Sequence, residues 1–141
     1  LKKLIEEQLK IVESFVLQQY GVEVHYDVDY SDAFYYDSKR IEINSRQNYI
    51  SRLHTLLHEA GHVILRCDES DYNSFRAQFP YMIKDSREAR GNKNHRADII
   101  REEVLAWEYG KKLAECFSIK IDEDRWNKHR QNALISYMEW F

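Results

Sequence analysis

The pentapeptide His58-Glu59-Ala60-Gly61-His62 sets two imidazoles four residues apart, with a carboxylate directly after the first. Residues four apart on a helix lie one above the other on the same face, so His58 and His62 can offer two nitrogens to one ion. Glu59 falls beside that face, where a carboxylate can take the proton of a water activated by the ion. A chain with six histidines in 141 residues would produce this pattern by chance about 0.02 times, so the motif is read as chemistry. Zn²⁺ is the expected cofactor, His58 and His62 two of its ligands, and Glu59 the general base.

Such a site needs a third protein ligand. Ile99, Glu103, Ala106, Gly110, Leu113 and Phe117 are spaced by fours and threes, a continuous helical stripe with one carboxylate in it. An acid facing a core is costly unless it is paired or bound to metal, so Glu103 is the expected third ligand. Glu102 shares a more polar face with Asp98, Tyr109 and Cys116 and stays open as the alternative ligand. Pairing of the acid with Arg or Lys is the structural alternative.

The elements that must position these groups follow from periodicity. Leu1, Leu4, Ile5, Leu9, Val12, Phe15 and Val16 fall at helical spacing, with Gly21 as the stop. Val22, Val24 and Tyr26 alternate with polar residues, as in a strand. Phe34-Tyr35-Tyr36 and Arg40 to Asn44 flank Asp37-Ser38-Lys39, which predicts a hairpin of two antiparallel strands. Asn44 or Ser45 is expected to cap the motif helix, which runs to about Arg66 and is apolar on more than one face. Gly61 in its interior costs about 1 kcal/mol relative to Ala, so close approach of another backbone is expected there.

His54, one turn before His58, is read as a partly exposed helix residue, with an outer contact to the ion as the alternative. From Cys67 to about His95 the pattern weakens, and Pro80 interrupts any helix, so an irregular insertion is expected, mobile around Gly91-Asn92. A helix from about Arg96 to Phe117 carries Glu103. Asp122 is expected to cap a last helix through Trp126, Ala133, Leu134, Tyr137 and Met138 to Trp140-Phe141.

The length fits one domain, 1–141, and a content of 43% hydrophobic and 32% charged residues is that of a globular protein. A net charge of −3 argues against nucleic acid as the main partner. A basic stretch from Lys84 to Arg101, with Arg87, Arg90 and Lys93, leaves nucleic acid as a lesser alternative; its other reading is a solvated loop or a substrate lid. Tyr20 to Asp37 holds five acids and no Lys or Arg, a local negative field that is read as a solvated strand and loop, with choice of basic substrates as the alternative. Cys67 and Cys116 are expected as buried free thiols. No stretch has the length and apolarity of a membrane span or the pattern of a signal peptide, which gives cytoplasmic as the expected location.

With His58-Glu59-Ala60-Gly61-His62 followed some forty residues on by Glu103-Val104-Leu105-Ala106-Trp107, the chain resembles zincin metallopeptidases whose third ligand is a downstream glutamate. More narrowly it is similar to the small ImmA/IrrE-like peptidases and related phage proteins. Trp107 stands where that pattern more often has Asn. SprT-like peptidases share the first motif but usually supply a third histidine, for which His95 is the candidate.

The resemblance implies a compact α+β zincin-like domain: an N-terminal helix, a small mainly antiparallel sheet, the motif helix, a glutamate-bearing helix and a C-terminal helix. It implies peptide-bond hydrolysis on a protein or peptide substrate. Tyr35, Tyr36, Tyr109, His95 and Arg96 are candidates for stabilising the oxyanion. The competing class is a zinc-binding regulatory or interaction module without turnover.

Overall fold

The computed structural model describes residues 1–68, 72–82 and 92–139. The acids at 69–71, Arg87 and Arg90 of the basic stretch, Gly91 and the terminal Trp140-Phe141 lie outside them. The fold is α+β. Helix α1 spans Lys2–Tyr20 and buries Ile5, Leu9, Val12 and Val16, the stripe its periodicity predicts. Gly21 closes it with φ 68°, a left-handed conformation that glycine adopts without a β-carbon clash.

Strands β1 (Glu23–Asp27), β2 (Ala33–Tyr35) and β3 (Arg40–Asn44) form one sheet in the order β1-β3-β2. The predicted hairpin is present, with Phe34 opposite Ile41 and Lys39 in the turn at φ 52°. The sheet is mixed rather than mainly antiparallel, because β1 runs parallel to β3 from Glu23↔Arg40 to Asp27↔Asn44. Alternation identifies a strand but not its partner. The bend after Asp27 carries the chain past β3, so that β2 returns on the far side. Ile41 and Ile43 of the central strand are fully buried.

Helix α2 (Tyr49–Val63) starts later than expected. Asn48 is its cap, accepting a hydrogen bond from Ser51 N at 2.9 Å. Asn44 instead accepts from Arg46 N at 2.7 Å and donates to Tyr30 O at 3.0 Å, tying the end of β3 to the preceding loop. Leu53, Leu56, Leu57, Ala60 and Val63 are buried, each large aliphatic side chain contributing about 1.5–3 kcal/mol. The helix continues as a π-helical turn, Ile64–Asp68, which carries Arg66.

The insertion is less irregular than expected, since Tyr72–Gln78 form helix α3. The rings of Phe75 and Phe79, one turn apart, lie 4.8 Å apart with planes tilted by 36°, an apolar pair that stabilises it. Pro80 follows its end. Helix α4 (Lys93–Cys116) also begins earlier than predicted, capped by Asn92, whose side chain accepts from Asn94 N and His95 N. Helix α5 is Glu123–Glu139, and Asp122 caps it as expected by accepting from Arg125 N at 3.2 Å.

Two glycines set the distance between α2 and α4. A β-carbon on Gly61 would collide with the carbonyl of Ala106, and one on Gly110 would lie 2.6 Å from the carbonyl oxygen of Leu57. Each helix thus lends a glycine to the backbone of the other. Both cysteines are free, but Cys116 is exposed at the last turn of α4 and Cys67 is half-buried, with Lys39 Nζ 3.4 Å from its sulfur. Their place at the ends of apolar runs is what misleads. Among the described residues, no helix is long and apolar enough to cross a membrane.

Candidate metal centre

The close approach of α2 and α4 brings His58, His62 and Glu103 together. The Nε2 atoms of the two histidines are 3.3 Å apart. Glu103 spans them, with Oε2 3.0 Å from His58 Nε2 and Oε1 3.0 Å from His62 Nε2. A tetrahedral zinc ion with bonds of about 2.0–2.2 Å separates its ligand atoms by roughly 3.3–3.6 Å. The cluster therefore has nearly the size such an ion requires, and two neutral imidazoles with one carboxylate form a chemically suitable donor set. Glu59 lies alongside, its Oε1 3.7 Å from His58 Nε2, and donor atoms of His58, Glu59 and His62 fall within 4.8 Å of one another.

Burial makes the electrostatics strong. All four side chains are buried. Burial drives the Glu59 carboxyl upward, the two imidazoles pull it back, and Glu103 and Asp32 add to the rise. For Glu103 burial acts upward too, but hydrogen bonds with His58 and His62 and their charge hold it well below the usual carboxylate range. Burial opposes a charge on His62, yet hydrogen bonds to Glu102 and Glu103 raise it well above the ordinary histidine value. Acids thus crowd the imidazoles, and the cluster favours positive charge, whether proton or cation.

Glu102 takes a different role from Glu103. It faces Nδ1 of His62, at 3.4 Å, and is held by Arg66 through Nε at 2.6 Å and Nη2 at 3.0 Å. Burial would raise this carboxyl, but His62 and Arg66 hold it down at about 2. Trp107 lies flat against His58. Nδ1 of His58 and Nε1 of Trp107 are buried without a hydrogen-bond partner among the described residues.

A cleft of about 490 Å³ opens beside the cluster, lined by His58, Glu59, Glu103 and Trp107, with Asp32 and Thr55 on one side and α5 on the other. From α5 come His129, Asn132 and Tyr137. The Tyr137 hydroxyl donates to Glu103 Oε1 at 3.0 Å. Burial and the Glu103 charge push the phenol well above its ordinary value, so it remains a donor. The sequence pattern places Tyr137 on the last helix without a part in the site and does not single out His129. The spacing Trp126, His129, Ala133, Tyr137, which puts all four on one face of α5, is the signal that could have found them.

Tyr35, Tyr36, Tyr109, His95 and Arg96 do not line this cleft. Tyr35 is exposed on an edge strand, and His95 is buried with Nδ1 3.1 Å from the carbonyl of Tyr81. Asp98, one turn on, accepts from Tyr81 N, so the pair grips both polar groups of that peptide backbone. His54 is not partly exposed but buried, its ring edge-on to Trp126 and its Nδ1 3.1 Å from Nδ1 of His129.

No family model, curated protein or solved structure matches the chain.

Proposed function

We propose that the protein is a zinc-dependent metallopeptidase of the zincin class, hydrolysing peptide bonds in a protein or peptide substrate. The observation that carries this reading is the mutual 3.0–3.3 Å spacing of the His58, His62 and Glu103 donor atoms, with a second buried carboxylate, Glu59, beside them at an open cleft. Three protein ligands beside an open cleft are the arrangement of a catalytic rather than a structural zinc site. Zinc held there supplies Lewis acidity, lowering the pKa of water and polarising the substrate carbonyl.

The chain's own residues do the rest. Glu59, made more basic by burial, accepts the proton of the attacking water and passes it to the amide nitrogen as the carbon–nitrogen bond breaks. Tyr137 is placed to turn its hydroxyl from Glu103 toward a carbonyl oxygen that gains negative charge. The neutral walls formed by Thr55, Asn132 and Ser136 can hydrogen-bond an extended backbone.

The test is proteolysis of a denatured protein and a peptide library by the purified chain. Cleavage should disappear on chelation, return with zinc, and be absent from Glu59→Gln although that variant still binds one zinc. Stoichiometric zinc without cleavage of any substrate would favour a binding module instead. Salt-dependent retention on DNA, lost on neutralising Arg87, Arg90 and Lys93, would favour the nucleic-acid reading.

A further inference from the structure

We infer that Phe75, Arg66 and Glu102 form a positioning chain that fixes His62 and ties the inserted helix α3 to the metal centre. The inference rests on the metal-centre reading above. Glu102 accepts from the Arg66 guanidinium, Oε1 from Nε and Oε2 from Nη2, and the same Oε1 lies 3.4 Å from Nδ1 of His62. A carboxylate facing Nδ1 places the proton there and leaves the Nε2 lone pair directed at His58 Nε2 and Glu103.

Arg66 is delivered by the π-helical turn that extends α2, four residues beyond His62. The Phe75 ring lies 5.1 Å from its guanidinium carbon, within range of a cation–π contact. The two histidines therefore have different surroundings. His58 has Trp107 flat against its ring and, among the described residues, no partner at Nδ1, whereas Nδ1 of His62 faces the Glu102 carboxylate at 3.4 Å. The outermost member of that arrangement belongs to the insertion, which gives α3 a function at the site.

The experiment is competition between the full apo chain and a chelator for Zn²⁺, which reads affinity without reference to turnover. In the double variant Arg66→Met/Glu102→Leu both charges are removed together, so neither is left buried and alone. It should bind one zinc 10–100-fold more weakly than wild type, with unchanged helicity, and ¹⁵N NMR should show His62 losing its fixed Nδ1-protonated tautomer. Phe75→Leu, which keeps an apolar side chain and removes the ring face, should weaken binding about two- to fivefold. Glu103→Gln should abolish stoichiometric binding.

Wild-type affinity in the double variant, with Glu103→Gln still defective, overturns the positioning chain and leaves the metal centre standing. Loss of binding through Glu102 but not Glu103 overturns it by making Glu102 the ligand. Absence of zinc binding in the wild type removes the metal centre and this inference together.

Discussion

Trp107 lies flat on His58, with ring centroids 4.1 Å apart and planes inclined by 20°. The stack buttresses the imidazole and would make the indole a reporter of an ion held at His58. Titration with Cu²⁺ should quench tryptophan fluorescence up to one equivalent. Trp107→Phe should remove most of the amplitude, leaving a remainder from Trp126, which sits edge-on at 4.9 Å. Undiminished quenching in that variant would place the ion away from His58.

The glycine contacts predict a cost larger than helix propensity suggests. Ala is favoured over Gly in a helix by about 1 kcal/mol, yet a β-carbon on Gly61 meets the Ala106 carbonyl, part of a backbone that cannot rotate away. Gly61→Ala should therefore be destabilising by about 1–3 kcal/mol, the ordinary penalty of overpacking. Chemical denaturation measures it, and zinc affinity should fall with it as α2 and α4 are wedged apart. A stabilised Gly61→Ala protein would mean that the two helices are not in backbone contact.

Tyr137→Phe separates the hydroxyl from the ring. The ring still packs, and Glu103 keeps both histidines, so zinc affinity should stay within a few-fold of wild type. If the hydroxyl stabilises the oxyanion, kcat should fall by about 10²–10³ with little change in KM. A Tyr137→Phe enzyme with wild-type kcat would remove the phenol from the mechanism.

His54 predicts an acid limb to stability. Burial, with His129 beside it, lowers the imidazole from 6.5 to about 4, and Asp122 offsets part of this. Between those values the unfolded chain takes up a proton that the folded one refuses, so stability falls as pH drops from about 6.5 to about 4 and changes no further from this source below that. The loss amounts to at most about 3 kcal/mol. Among the charged neighbours, Arg125 opposes protonation of both rings, Lys128 opposes that of His129, and Asp122 favours it. The difference in unfolding free energy between wild type and His54→Phe, followed from pH 7 to 4, reads this contribution together with any change at His129, which lies against it, while more distant titrating groups cancel; a flat difference would show that His54 titrates normally.

Much of this architecture is readable where one residue type carries one physical demand. Gly21 ends α1, Asp122 starts α5, and Glu103 stands as the acid of an apolar stripe because each position has a cost that few alternatives remove. The parallel partner of β1 was not readable, since alternation is the same in either orientation. Helix α3 was obscured by its polar composition, although Phe75 and Phe79 mark one turn. The clustering of His58, Glu59 and His62 follows from spacing alone. The different neighbours of Glu102 and Glu103 depend on the angle between two helices, which the sequence leaves undetermined, and Tyr137 comes from an element far along the chain whose aromatics also serve as packing.

The docking of α2 on α4 through Gly61 and Gly110 also bears on how freely the intervening segment can diverge. Because the two halves of the site are registered by backbone against backbone, the stretch between His62 and Glu103 need not hold them at a set distance. Closing a flexible loop twice as long costs only about 0.6 kcal/mol more, so insertions remote from Arg66 and α3 are nearly free. Evolution can vary the length of this segment, and an engineer can graft a foreign loop into it, while His58, Glu59, His62 and Glu103 keep their spacing.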